Sequence, residues 1–273
     1  MKSFRVYRWN ILRISLISIG VSLLGIASLG HWTSLGNYRN TPPRSWECFD
    51  PDLVKKTPDL NSLYAEAQAR SQRPLEQLKR HDAMQILYEI TACRFTHGDR
   101  NAEHTLFSNW ILWSMGIINP NFKIHYNVDH LLKYGHSGFC SQVSFVLIKL
   151  ADKAKIPARL VHLNGHVVME AWYKDDWHKY DADMEVVPIN HGQTVSLETL
   201  SRDKTLTFET YKFRPETERW VNTVVTRIDN FADRVGRINS ASFLQLLKIT
   251  EFLKFLLPLF LAIGSLRMYR FKH

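Results

Sequence analysis

Three residues, in chain order, have the types needed to make and use a thiolate nucleophile. They are Cys140 in Gly138-Phe139-Cys140, His166 in Gly165-His166-Val167-Val168-Met169-Glu170, and Asp181 at the end of Trp177-His178-Lys179-Tyr180-Asp181. A thiol attacks a carbonyl only as its thiolate. It therefore needs a base within hydrogen-bond reach, and the base needs a third group to fix its tautomer and orientation. Cys140 follows a glycine-containing loop and opens a stretch of helical periodicity. At such a position unpaired amides and the positive helix end favour the thiolate, and the same amides can hold the oxyanion that forms on attack.

Each member has a rival. His162, four residues before His166, has the spacing to share a strand face with it, but Asn164-Gly165 breaks the strand between them. Asp183 stands two residues beyond Asp181 and is its alternative; Asp181, directly after the strand, is preferred. Glu170 reads as a structural or groove residue. The twelve histidines, among them His97, His104, His125, His130 and His136, show no His-x-x-x-His or Cys-x-x-Cys spacing, so no metal and no cofactor are expected.

The elements that must position these residues follow a helix-then-sheet order. Leu60 to Arg73 and Leu75 to Thr91 carry helical spacing, the second with Pro74 at its start. Thr105 to Gly116 is a third helix, whose aromatic stripe reads as core. Cys140 to Lys153 is a fourth, with Val143, Phe145, Val146, Leu147 and Leu150 as its buried surface. Beyond Pro157 the pattern shortens. Ala158 to Leu163, His166 to Tyr173 and Trp177 to Tyr180 read as antiparallel strands joined by tight turns at Asn164-Gly165 and Lys174-Asp175-Asp176. The fold class is α+β, a helical lobe followed by a small antiparallel sheet. Glu198 to Asn239 is polar and mixed, with helical character near Trp220 to Val235.

These residues resemble the transglutaminase-like superfamily, a branch of the papain-like cysteine enzymes. The resemblance lies in Gly138-Phe139-Cys140, Ile156-Pro157-Ala158-Arg159, His166 with Glu170, and Trp177 with Asp181, and spans about residues 135–185. It implies Cys140 as nucleophile, His166 as general base and acid, and Asp181 as orienting carboxylate. Tyr134 is implied as an oxyanion donor beside the Cys140 amide, and Gly138, Glu170 and Trp177 as oxyanion or groove residues. Ser141 and Val168 stand where the family often has tryptophan, so groove specificity does not carry over. The implied activity is attack on an amide or ester carbonyl through a thioester, resolved by water (hydrolysis) or by an amine (acyl transfer). The alternative is a non-catalytic scaffold or binding subunit of an envelope or polysaccharide-export assembly.

The net charge of +9 over 273 residues suggests nucleic acid until it is located. Lys2, Arg5, Arg8 and Arg13 precede the first apolar run, and Arg267, Arg270 and Lys272 follow the last. Without those seven the remainder carries +2. Basicity at the ends argues for membrane topology and against a nucleic-acid partner. The expected organisation is a basic cytoplasmic tail at 1–13, a transmembrane helix at 14–35 and a proline-containing linker at 36–59. A transglutaminase-like domain at 60–240 follows, then a transmembrane or interfacial helix at 241–266 and a basic tail at 267–273. Glu251 and Lys254 would lie near the outer interface. A cleaved signal peptide is the alternative for the first apolar run. The expected location is a bacterial-type inner or plasma membrane, with the catalytic domain extracytoplasmic and an amide-bearing envelope peptide or protein as substrate. An oxidising compartment would let Cys48 and Cys93 pair, leaving Cys140 as the odd thiol.

Overall fold

The computed structural model describes residues 2–33, 37–38, 40–98, 102–163, 165–225 and 241–267. It is α+β, and its contacts divide it into two compact units. One comprises residues 1–37, 103–124 and 241–273, and the other 38–102 and 125–240. The helix expected at Thr105 to Gly116 thus groups with the chain ends, not with the 60–240 domain.

In the first unit, α1 (Lys2–Thr33) and α11 (Ala241–Arg267) pack together and against α5 (Leu106–Ile118). The basic residues expected to form a separate tail at 2–13 continue α1 as helix. Trp9–Trp32 is long and apolar enough to cross a bilayer, by length and composition alone. Lys254 is buried and donates to the Ser108 carbonyl (2.7 Å). Asn109, where α5 departs from helical backbone, donates to Glu251 Oε1 (2.8 Å). A single turn of α11 therefore compensates the broken turn of α5. The aromatic stripe of α5 is not core: Leu112 is buried, but Phe107 is exposed and Trp110 and Trp113 are half-buried.

The second unit is built on a three-stranded antiparallel sheet. Its strands follow two very short ones, β1 (Thr96–His97) and β2 (Ser137–Gly138), which pair parallel to each other. The sheet runs β3 (Ala158–Leu163), β4 (His166–Tyr173), β5 (Asp176–Tyr180), in that spatial order. Both hairpin turns are dictated locally. Gly165 has φ +82°, a conformation that costs glycine nothing, and Lys174 and Asp175 both adopt positive φ, the geometry that suits a two-residue hairpin.

Register then sorts the side chains. Arg159 faces Glu170, Val161 faces Val168, Leu163 faces His166, and Glu170 faces Lys179. With a period of two, these residues share one face of the sheet, and Asp181 extends the row beyond β5. That face is covered by α8 (Leu197–Arg202), α9 (Lys204–Tyr211) and α10 (Thr217–Val225). Leu197, Leu200, Tyr211, Trp220 and Val224 close a core over Val161, Leu163 and Val168. α7 (Cys140–Lys153) packs against β3 and β4, and α4 (Arg80–Arg94) packs on α7. Ser144 ties α7 to β4 by donating to the Val167 carbonyl (3.2 Å).

Two local readings change. Leu75 to Thr91 is not one helix: a 3₁₀ turn covers Leu75–Gln77, and α4 begins only at Arg80. The proline-containing stretch before α2 (Pro51–Lys56) is no free linker. Cys48 is disulfide-bonded to Cys93 at the end of α4, and Thr41 hydrogen-bonds both Ser137 and the His97 carbonyl. Of the expected helix near Trp220 to Val235, α10 ends at Val225 and the remainder lies outside the described residues.

Candidate active site

Cys140 is the first residue of α7, where amides lack intrahelical partners. Its placement is enforced from behind. Arg94, fully buried, donates to the carbonyls of Leu132 (2.5 Å) and Gly135 (3.2 Å), fixing the end of α6 (Val128–Tyr134) and the loop that follows. Gly138 then passes so close to α7 that a Cβ there would meet Val143 Cγ2 at 2.4 Å. Its carbonyl accepts from Gly98 N (3.0 Å). Gln142 bridges the turn, accepting from Phe139 N (3.0 Å) and donating to the His125 carbonyl (2.9 Å).

His166 begins β4 and is buried. Its Nε2 lies 2.9 Å from Asp181 Oδ2, so the ionised carboxylate accepts the Nε2 proton and Nδ1 is left for the thiol. The Trp220 ring, 4.8 Å away centroid to centroid, covers the imidazole.

Asp181 is among the most constrained side chains in the molecule. Oδ2 also accepts from Tyr211 OH (2.7 Å), and Oδ1 from Met184 N (3.2 Å). Lys179 Nζ stands 3.6 Å from Oδ2 and donates to Tyr211 OH (2.8 Å). All four groups are buried. Burial alone would push the Asp181 pKa up, but the positive charges of His166 and Lys179 and the hydrogen bonds hold it well below the usual carboxylate range. For His166, burial works against the charged ring. The charge and hydrogen bond of Asp181, with a further hydrogen bond from Cys140, outweigh it and raise the pKa well above the usual value. Burial lowers the Lys179 pKa, opposed by Asp181.

The site opens onto a cavity of about 190 Å³ bordered by Cys140, His166, His97, Asp183, Arg44 and Trp220. Cys140 Sγ, a His166 ring nitrogen and an Asp183 oxygen lie within 4.8 Å of one another. Those donor types also surround zinc. Here, however, Asp181 takes one imidazole nitrogen, so a cation bound at the other would displace the thiol from its base.

The implied oxyanion and groove residues do not gather at this cavity. Tyr134 packs its ring on Tyr38 and His130, because it lies at the far end of α6. Glu170 is buried in a structural ion pair, accepting from Arg159 Nε (2.9 Å) and Nη2 (2.7 Å) and from Leu197 N (2.9 Å). Trp177 lies beneath the Arg159 guanidinium, 4.0 Å from its ring centre. The Arg-Glu-Trp part of the motif thus fastens β3, β4 and β5 to α8. Gly138 contributes clearance, not a donor. His162 lies on β3 opposite Val167 and does not line the cavity.

Lys179, Tyr211 and Trp220 were not singled out by sequence reasoning, and His97 was named there only among the histidines weighed for metal binding. Lys179 carried a usable signal, since it stands two residues before Asp181 on a strand and so shares its face. Tyr211 and Trp220 carried none. His97 is on strand β1.

No family model matches the sequence, and no curated protein matches it. A solved structure described as "Crystal structure of a TGase" is similar, with 16% identity over 53% of this chain and a TM-score of 0.31. The similarity spans 34% of that chain.

Proposed function

We propose that this chain is a membrane-anchored cysteine enzyme of transglutaminase-like type that acts on amide or ester carbonyls. The reading is carried by the 2.9 Å contact of His166 Nε2 with Asp181 Oδ2, beside a cysteine that opens a helix onto a cavity. In this reading His166 takes the Cys140 proton through Nδ1, and the thiolate adds to the carbonyl carbon. The first-turn amides of α7 receive the oxyanion. Collapse breaks the bond to the leaving group, which takes the proton from His166 and leaves an acyl thioester on Cys140. Asp181 keeps the imidazole in the productive tautomer throughout. The Trp9–Trp32 segment supports a membrane location, with the catalytic unit on the extracytoplasmic side, where a Cys48–Cys93 disulfide is chemically at home. The substrate class proposed is an amide-bearing envelope peptide or protein.

The test is alkylation of the detergent-solubilised full chain with an iodoacetamide probe across pH, beside Cys140→Ala. Cys140 is expected to label at neutral pH much faster than an ordinary exposed thiol. Labelling no faster than a free thiol, with the fold intact, would reject the activated nucleophile and leave the scaffold reading.

A further inference from the structure

The cavity that His166 borders is lined by a second histidine–aspartate pair. His97 Nδ1 lies 2.9 Å from Asp183 Oδ2, and both residues line the cavity with Cys140. The contact is close but off the hydrogen-bond axis, so among the described residues neither Asp183 oxygen has an aligned donor although the side chain is fully buried. The pair is positioned by backbone. His97 N donates to Glu47 Oε1 (2.9 Å), Thr41 Oγ1 donates to the His97 carbonyl (2.9 Å), and β1 pairs with the strand leading into Cys140. Cys48–Cys93 anchors the segment that supplies Glu47 and Thr41. With Nδ1 turned toward Asp183, Nε2 is the nitrogen left for the cavity, and no described residue hydrogen-bonds it.

This arrangement separates two proton problems. His166 is occupied: one nitrogen holds Asp181 and the other serves the thiol. The nucleophile that resolves the thioester also carries a proton, and it must approach the acyl carbon from the cavity. We propose that His97, oriented by Asp183, is the general base for that second nucleophile. A water molecule in the cavity gives its proton to His97 Nε2 while its oxygen bonds to the acyl carbon. The tetrahedral intermediate collapses by breaking the carbon–sulfur bond, releasing the carboxylic acid and returning Cys140 as thiolate. The proton on His97 passes to solvent. A primary amine in place of water loses its N–H proton to the same nitrogen and leaves as an amide. Asp183 is a positioning residue, because it acts through His97.

The inference rests on the cysteine-enzyme reading, and one experiment separates the two. p-Nitrophenyl acetate is added to the solubilised full chain. The burst of p-nitrophenolate reports acylation, steady-state release reports deacylation, and intact mass reports acetyl-Cys140. In His97→Gln the burst is expected to keep its rate within about twofold. Steady-state release falls about 100-fold, and the acetyl-enzyme accumulates. Asp183→Asn should show the same split more weakly, and added imidazole should restore deacylation in His97→Ala. Equal slowing of burst and steady state, or no accumulation in a folded variant, overturns the role of His97. If the wild-type chain forms no acetyl-Cys140, the cysteine-enzyme reading falls and the proposal falls with it.

Discussion

Two histidine–aspartate pairs among the described residues share a 2.9 Å separation, yet their surroundings are opposite. In His166–Asp181 both carboxylate oxygens are engaged by aligned donors, a buried ammonium stands behind them, and an indole covers the imidazole. In His97–Asp183 the carboxylate is just as buried, yet neither oxygen has an aligned donor among the described residues, and the histidine borders the cavity. The first pair is held on every side, which fits the proposed role of presenting one nitrogen to the thiol. The second keeps hydrogen-bonding capacity in reserve, which fits the proposed role of meeting a transient partner. Residue type and distance do not separate the two; the company kept by the aspartate does.

Four outcomes test this contrast. The largest effect should come from His166→Gln, which removes the base and lowers Cys140 acylation about 10³-fold, measured by the p-nitrophenolate burst. A His166 variant that acylated as fast as His97→Gln would erase the distinction between the pairs. Next is Asp181→Asn, which leaves the buried Lys179 and His166 without their counter-charge. It should cost about 3–5 kcal/mol in urea unfolding. The same change should drop the His166 pKa, read from its imidazole NMR signal. The sign follows from the raised pKa. Its contribution to stability is complete below the ordinary histidine range and is lost as pH rises through the raised value. In Asp181→Asn that alkaline loss should shrink.

Tyr211→Phe removes one donor from Asp181 and the acceptor of Lys179, and should cost about 1.5–3 kcal/mol with acylation slowed less than in Asp181→Asn. The smallest effect on stability should be that of Asp183→Asn, under about 1 kcal/mol, because no aligned hydrogen bond is lost. It should lower the His97 pKa. Burial of His97 disfavours its charge, and the close contact and negative charge of Asp183 outweigh that to raise it. A stability loss for Asp183→Asn equal to that for Asp181→Asn would show the two carboxylates to be the same kind of residue.

How much of this was legible beforehand depended on range. Cys140 at a helix start, and the strands carrying His166 and ending before Asp181, follow from local periodicity and turn chemistry, and the observed elements agree within a residue. The choice of Asp181 over Asp183 as the partner of His166 could only be weighed in the sequence, since both share a strand parity. The bridge of Asp181 with Val186 and the donors around it distinguish them in space. Tyr134 was a plausible donor by proximity in sequence, but the helical turn of α6 carries it away. The aromatic helix Leu106–Ile118 looked like domain core because periodicity reports an apolar face without naming what covers it. Glu170 read as a structural or groove residue. Register across three strands makes it the centre of a structural ion pair.

What the sequence by itself determined is therefore local. It placed a thiol at a helix terminus, a histidine and a carboxylate on a two-residue repeat, tight turns between the strands, and an apolar segment long enough to cross a bilayer. Those properties depend on neighbours a few residues away, whose types are visible in the chain. The tertiary structure alone decided which carboxylate holds which histidine, that Lys179 and Tyr211 keep Asp181 ionised, and that His97 faces Cys140 at all. Apart from that of Lys179 with Asp181, those contacts join residues 15 to 86 positions apart in the chain. Their energies depend on burial and alignment, and neither exists until the strands are in register and the helices have closed over them.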